Sequence, residues 1–182
     1  GYPTRTLEEV RRFVGNGAGP LIHRALPQGV DPDREAEILA DYRAYYQAHN
    51  CVETRPYDGI GPLLERLRQA GVRTAVVSNK PDRTTRTLAA RFFPELDGAM
   101  GQREGIASKP APDMVRAALD QLHAAPAETL YVGDSEVDVA TARNAGLDMI
   151  GVAWGFRGRA ALEAAGAPLV ADTPDQLLDM LQ

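Results

Sequence analysis

Two acidic residues after a short apolar segment are the first candidates for chemistry in this chain. Residues 130–132 are apolar, Gly133 follows them, and Asp134 and Asp138 come next. In an α/β protein this order places carboxylates at the carboxyl end of a strand, where ligands usually bind. Mg²⁺ takes such oxygen ligands and often shares them with substrate phosphates. An alternative stays open, because Asp134 and Ser135 could instead cap the N-terminus of the following helix.

Polar residues also follow another apolar segment and a short loop in the same half of the chain. Ser78 and Asn79 come after an apolar pair, and Lys109 directly precedes Pro110. Because the carboxyl ends of parallel strands meet at one crevice, we expect these groups to be neighbours of the acidic pair. A hydroxyl and a lysine on a stiff loop both suit phosphate oxygens. Taken singly, Ser78-Asn79 could cap a helix, and Lys109 could be a solvated loop charge.

The composition argues against several classes of function. The 182 residues carry a net charge of −5, and the 20 basic residues are dispersed, which argues against a nucleic-acid surface. The single cysteine, Cys51, permits no intrachain disulfide and, with no signal-peptide pattern, predicts a cytoplasmic protein. No apolar run approaches the roughly 18 residues of a membrane span, so we expect no membrane partner.

The hydrophobic pattern changes near residue 55 and predicts two domains. Residues 1–54 show helical periodicity alone, and on one of their helices five apolar side chains are predicted to face inward: Ile38, Leu39, Tyr42, Tyr45 and Tyr46. From residue 55 onward, strands alternate with helices, which predicts a parallel sheet covered on both faces. The predicted strands are 73–77, 98–100, 129–132, 149–152 and 169–170, and the predicted helices are 60–70, 83–92, 113–122, 137–145, 160–165 and 174–181.

Three short motifs, in this order, resemble those of the haloacid dehalogenase-like phosphohydrolases. They are Val-Ser-Asn-Lys at 77–80, Ser-Lys-Pro at 108–110 and Val-Gly-Asp-Ser-Glu-Val-Asp at 132–138, similar to the second, third and fourth motifs of the family. Residues 13–17, 55–59 and 151–155 are similar to the phosphoglycolate phosphatase branch. The resemblance implies an α/β fold with a Rossmann-like parallel sheet core over 55–182 and a small all-helical cap domain over 1–54.

The resemblance also implies roles for the candidate residues. Ser78 and Lys109 would bind the transferring phosphoryl group, and Asn79 would help to orient it. Asp134 would ligate Mg²⁺, and Asp138 would support the metal directly or through water. Phosphoryl transfer needs this kind of positioning and charge stabilisation around the phosphoryl oxygens.

The cap loop Gly15-Asn16-Gly17 is a further candidate, because it could close over the crevice and touch the substrate, although a plain interhelical turn explains it equally well.

The expected activity is Mg²⁺-dependent hydrolysis of a small phosphorylated acid, best 2-phosphoglycolate, through an aspartyl-phosphate intermediate. The alternatives are a pyrophosphatase, a sugar-phosphate phosphatase, a phosphomutase or a noncatalytic phosphate-binding protein. The protein is expected to be a monomer or a homodimer.

The first motif of the family, an apolar strand that ends in Asp-x-Asp, has no counterpart in residues 1–5. In the family, the first of these aspartates is the nucleophile and the second is the general acid/base. The resemblance therefore implies that a central first strand and both catalytic aspartates lie upstream of residue 1. It also implies that the 182 residues alone would be inactive.

Overall fold

The computed structural model describes residues 1–15 and 17–181, and the chain divides into two compact units, Gly1–Thr54 and Arg55–Gln182. The described part of the first unit forms three helices: α1 (Leu7–Phe13), α2 (Ala18–Ala25) and α3 (Pro32–His49). A capping box between Thr6 and Glu9 starts α1, and Asp31 caps α3, which has proline at its first position. Local capping signals in the sequence therefore fix where α1 and α3 begin.

Tyr45 departs from the inward-facing stripe predicted for α3. Its side chain is 65% exposed and stacks on His49 with ring centroids 4.0 Å apart. The other four predicted residues are partly buried. Contact between α2 and α3 includes His23 Nδ1, 3.1 Å from Glu35 Oε1, near the start of α3. Tyr46, one residue beyond Tyr45, is partly buried and stacks on Tyr42, so Tyr45 is exposed because it lies on a different side of the helix from this pair.

The second unit alternates strands with helices and is an α/β fold, as the sequence predicts. Its strands are β1 (Ala75–Pro81), β2 (Gly98–Gln102), β3 (Leu130–Gly133), β4 (Asp148–Val152) and β5 (Val170–Ala171), and every pairing among them is parallel. Its helices are α4 (Ile60–Gln69), α5 (Asp82–Phe92), α6 (Asp113–Leu122), α7 (Glu136–Ala145), α8 (Gly158–Ala164) and α9 (Pro174–Met180), with a 3₁₀ turn at Pro126–Glu128.

The β4 strand has apolar packing on both faces. Ile150 and Val152 face one cluster with Leu63 of α4 and Leu177 of α9. Met149, on the opposite face, packs in a second cluster that draws its other members from α7, α8 and β5: Val139, Ala142, Leu162 and Val170. Successive residues of β4 thus face helices on opposite sides of the sheet, so the predicted coverage of both faces is confirmed.

The five strands form two sheets where the sequence predicted one. β1 pairs with β2, and β3, β4 and β5 pair in that order. Within the described part of the chain, no strand pairs with the other edge of β1 or of β3. Val77 of β1 and Tyr131 of β3 nevertheless pack against a common cluster formed by Val115, Leu119 and Leu147. The two sheets therefore belong to one packed unit without sharing backbone hydrogen bonds.

The predicted limits of the first strand were wrong at both ends. β1 begins at Ala75, and the N–H of the preceding Thr74 donates to the side chain of Asp97 (Oδ2, 2.7 Å) and not to a strand backbone. It continues to Pro81, which pairs with Gln102 after an irregular step in register that follows Val77. Ser78, Asn79 and Lys80 therefore lie inside an irregular strand segment and not in a loop after it.

The longest helix of the described chain, α3, has 18 residues and carries many charges. None of the helices in residues 1–15 and 17–181 combines the length and the apolar character needed to cross a membrane.

Candidate active site

The turn from β3 into α7 positions the two acidic residues. Gly133 ends β3, and Ser135 is the N-cap residue of α7, where its Oγ accepts from Asp138 N at 3.3 Å. A Cβ at Gly133 would lie closer than 3.0 Å to the Asp138 side chain, so only glycine allows Asp138 this close to the strand end. The capping role that the sequence left open therefore belongs to Ser135.

Asp138 is a buried carboxylate whose two oxygens are both occupied by protein donors. Oδ1 accepts from Lys109 Nζ at 2.7 Å and from Tyr131 OH at 3.1 Å. Oδ2 accepts from Ser135 Oγ at 2.6 Å and from Asp134 N at 3.1 Å. Each carboxylate oxygen has two lone pairs, so these bonds fill the Asp138 carboxylate. This set of partners favours an organising role for Asp138 over direct metal ligation.

The electrostatics of this cluster favour a charged Asp138 and a neutral Tyr131. Burial would raise the pKa of Asp138, but the Lys109 ammonium and hydrogen bonds from Lys109, Ser135 and Tyr131 lower it below its usual value. Burial and the adjacent Asp138 carboxylate raise the pKa of Tyr131. Tyr131 is therefore a permanent neutral donor to Asp138 at physiological pH.

Asn79 fixes the main chain of Lys109 through both atoms of its side-chain amide. Asn79 Nδ2 donates to Lys109 O at 3.0 Å, and Lys109 N donates to Asn79 Oδ1 at 2.8 Å. The Asn79 residue is only 8% exposed, and the Lys109–Pro110 peptide is cis. The backbone of Lys109 is thus tied to β1, while its ammonium is tied to α7. These hydrogen bonds connect Asn79, Lys109 and Asp138, which the sequence predicts to be neighbours.

Ser78 and Lys80 lie in the same irregular segment of β1. Ser78 Oγ accepts from Lys80 N at 3.2 Å, which leaves its hydroxyl proton for another partner. Lys80 is exposed as a whole residue, yet burial lowers the pKa of its ammonium, and the nearby Asp134 carboxylate opposes this decrease. Lys80 is thus close enough to Asp134 to interact with it electrostatically, a placement that the sequence did not predict.

Asp134 has one occupied and one available carboxylate oxygen. Oδ2 accepts from Phe156 N at 3.0 Å, and none of the described residues donates a hydrogen bond to Oδ1. The side chain is partly buried, at the junction of β3 and α7. Asp134 can therefore offer Oδ1 to a cation or to a ligand.

A metal held by this site would depend on few protein ligands. Within residues 1–15 and 17–181 there is no cluster of three or more His, Cys, Asp or Glu side chains that could hold an ion. Mg²⁺ commonly keeps several waters and binds through one or two carboxylates together with substrate phosphates. The donor set fits that pattern, with Asp134 as the available carboxylate and Asp138 one hydrogen bond behind it.

Two specific contacts of the site were not predicted from the sequence. Tyr131 is an apolar-patterned strand residue, and nothing local indicates that its hydroxyl reaches Asp138. The loop after β4 also reaches Asp134, through Phe156 N. A glycine directly after Trp154 was a signal that the backbone approaches another group closely.

The cap-loop candidates belong to the first unit. Gly15 and Gly17 have φ of 129° and 88°, and Asn16 lies outside the described residues. Arg24 Nη1 donates to Phe13 O at 3.0 Å and so holds the end of α1 beside α2. The substrate role of Gly15, Asn16 and Gly17 stays a prediction.

Comparison with protein families gives one match over most of the chain. Residues 1–152 match the model described as haloacid dehalogenase-like hydrolase. A phosphoglycolate phosphatase of Vibrio vulnificus is 32% identical, with 100% of this chain and 83% of that protein covered. An N-acetylmuramic acid 6-phosphate phosphatase of Pseudomonas aeruginosa is 30% identical, with 100% and 81% covered. A phosphoglycolate phosphatase of Pseudomonas putida is 32% identical, and this chain spans 66% of its length.

Solved structures resemble the whole chain in fold. A protein of Lactobacillus delbrueckii, provisionally named a phosphoglycolate phosphatase, superposes with a TM-score of 0.91 at 34% identity, with 97% of this chain and 83% of that one covered. A predicted phosphoglycolate phosphatase of Haemophilus somnus gives 0.89 at 24% identity, with 100% and 84% covered, which shows the fold alone.

Proposed function

The chain belongs to the haloacid dehalogenase-like hydrolases, and from this premise we propose that it is a metal-dependent phosphatase acting on a small phosphorylated acid. The observation that carries the proposal is the link from Asn79 through Lys109 to Asp138, next to the available oxygen of Asp134. It places a fixed positive charge and a free carboxylate oxygen at one edge of the fold. Phosphoryl transfer requires both, since its catalysis consists mostly of positioning and charge stabilisation.

Lys109 and Ser78 are proposed to bind the phosphoryl oxygens. The Lys109 ammonium has three N–H donors and uses two of them, on Asp138 Oδ1 and Tyr131 OH. The third is left for a phosphate oxygen. The Ser78 hydroxyl accepts from Lys80 N and keeps its own proton to donate. Asn79 is proposed to act on the same group through Lys109, whose backbone it holds.

Asp134 is proposed to hold Mg²⁺ through Oδ1, with Asp138 acting behind it through the Asp134 N–H and Lys109. When bound, the ion would neutralise charge on the phosphoryl oxygens and act as a Lewis acid. The family resemblance implies Mg²⁺, and the oxygen donor is of the kind that this ion prefers.

The proposed route passes through an aspartyl-phosphate, as the family resemblance implies. Asp138 is fully hydrogen bonded and Asp134 is assigned to the cation, so neither is offered as the attacking group. We propose that the nucleophile and the general acid/base are the two aspartates of the family's first motif, which residues 1–5 do not contain. Covalent catalysis of this type divides hydrolysis into two easier steps.

The substrate proposed first is 2-phosphoglycolate, because several relatives are named for it at 31–32% identity. A second candidate is a phosphorylated sugar acid, favoured by the 30% identical N-acetylmuramic acid 6-phosphate phosphatase. Both substrates combine a phosphomonoester with a carboxylate. Fold alone does not separate such activities, so the substrate must be assigned by assay.

The test is phosphate release by the protein expressed from its complete coding sequence. The panel contains 2-phosphoglycolate, N-acetylmuramic acid 6-phosphate, glucose 6-phosphate and pyrophosphate, each with Mg²⁺ and with EDTA. Asp134→Ala should lower release at least 100-fold, and the matched control Asp120→Ala, at an exposed position of α6, should not. Release that survives Asp134→Ala refutes the metal role. No release from any substrate by the parent protein favours the phosphate-binding alternative.

A further inference from the structure

The loop that follows β4, residues 153–157, contacts both acidic residues that flank Ser135. Phe156 N donates to Asp134 Oδ2 at 3.0 Å. Arg157 Nε donates to Glu136 Oε2 at 3.2 Å, and the Arg157 side chain is only 16% exposed. Two separate contacts thus join this loop to the start of α7.

Gly155 allows the loop to approach Asp134 this closely. A Cβ on Gly155 would lie closer than 3.0 Å to three side-chain atoms of Asp134, which real Cβ atoms essentially never do. The φ angle of Gly155 lies outside the left-handed region, so its backbone conformation does not require glycine. The close approach to the carboxylate is therefore the reason that this position needs glycine.

The loop is held at its beginning as well as at Asp134. Ala153 N donates to Ala171 O of β5 at 2.9 Å, so the chain leaves β4 still paired to the sheet. Trp154 is partly buried and packs against the cluster of Leu63, Ile150 and Val152. The amide of Phe156 is consequently presented by a fixed backbone and not by a free loop tip.

We propose that Gly155 and the Phe156 amide are positioning elements of the metal site. They hold Asp134 Oδ2 and leave Oδ1 for the cation. This inference rests on the proposed function, in which Asp134 is the metal ligand. Groups that orient a metal ligand typically change metal affinity by about 10–100-fold when they are removed. We expect a decrease of the same size in metal affinity when Gly155 or the Phe156 amide is altered.

The first test replaces Gly155 by alanine and measures Mg²⁺ and Mn²⁺ binding without substrate. Calorimetry gives the dissociation constant, and the fluorescence of Trp154, the only tryptophan, reports on the loop itself. Gly155→Ala should weaken binding at least ten-fold. Gly61→Ala is the matched control, because a Cβ at Gly61 in α4 meets nothing within 4 Å. Equal affinities of the Gly155→Ala variant and the parent protein would overturn the proposal.

A second variant keeps the proposal testable if Gly155→Ala fails to fold. Replacement of Phe156 by phenyllactic acid, through nonsense suppression, removes the N–H and keeps every side chain. It should weaken Mg²⁺ binding about ten-fold with little change in the metal-free unfolding temperature. Unchanged binding would again overturn the inference.

Asp134→Ala separates this inference from the function on which it rests. If Asp134→Ala lowers metal affinity and both loop variants do not, the loop assignment alone is wrong. If Asp134→Ala also leaves metal affinity unchanged, the proposed metal role of Asp134 is wrong, and the loop assignment falls with it. Loss of affinity in Asp134→Ala and in both loop variants supports the proposal.

Discussion

The Lys109 ammonium lies 2.7 Å from Asp138 Oδ1, and the two side chains are only 13% and 6% exposed. A buried pair of this kind gives little net stability compared with an apolar pair of the same shape. Removing one partner is costly, however, because it leaves the other charge buried and uncompensated. The pair therefore fixes the position of Lys109 more than it contributes to the free energy of folding.

Asp138→Asn should destabilise the protein by about 3–5 kcal/mol, the usual cost of breaking a buried ion pair. The variant leaves Lys109 without its carboxylate partner and replaces one acceptor oxygen by an NH₂ group, which cannot accept the hydrogen bonds that this oxygen receives. Urea unfolding followed by circular dichroism measures the change in the free energy of unfolding. Asp172→Asn is the control, because it weakens an exposed pair with Arg159 and should leave the midpoint almost unchanged. Equal midpoints for Asp138→Asn and the parent protein would contradict a buried ion pair.

The contribution of Asp138 to stability should depend on pH at the acidic end. Its folded-state pKa lies below the ordinary value of 3.8, so the unfolded chain binds the proton more readily. The contribution is therefore fully present above about pH 5 and is lost as pH falls through the folded-state pKa. The difference in unfolding free energy between the parent protein and Asp138→Asn should be constant from pH 5 to 8 and shrink below pH 4. A difference that keeps its full size down to pH 2 would contradict this assignment.

Asn79→Ala should lower both the activity and the stability of the protein. It removes two hydrogen bonds to the Lys109 backbone, which amounts to about 1–3 kcal/mol of unfolding free energy. Displacement of Lys109 by about 1 Å should lower kcat about 100-fold, since phosphoryl transfer depends on position. The assay compares kcat on the best substrate of the panel at saturating Mg²⁺.

Asn144→Ala is the matched control for this prediction. Asn144 Nδ2 donates to Pro110 O at 2.9 Å and so holds the same loop one residue away from Lys109. Its loss should change kcat less than five-fold. Equal losses of kcat in the two variants would mean that general loop stability, and not the placement of Lys109, accounts for the effect.

The sequence predicted that the candidate residues are neighbours better than it predicted the way in which they are joined. Asp134, Asp138 and the start of α7 follow from a local pattern of strand, glycine and helix cap, and local patterns are readable without tertiary structure. The predicted end of β1 was wrong because the irregular register after Val77 is set by pairing with β2. The contact of Phe156 N with Asp134 joins residues 22 positions apart, and no local periodicity records it. Tyr131 has the pattern of a core residue, and only the folded arrangement of Lys109 and Asp138 gives its hydroxyl a role.

Tyr131→Phe tests that hydroxyl directly. The variant keeps the ring and removes one donor to Asp138 Oδ1 and one acceptor for Lys109. It should lower the free energy of unfolding by about 1–3 kcal/mol, the usual value for two hydrogen bonds. Lys109 then holds Asp138 Oδ1 alone, so the KM for the phosphorylated substrate should rise more than kcat falls. Because burial and Asp138 raise the pKa of Tyr131, the ratio of kcat/KM between variant and parent should be constant from pH 6 to pH 9. A ratio that changes through this interval would show that the Tyr131 hydroxyl titrates, which contradicts its assignment as a neutral donor.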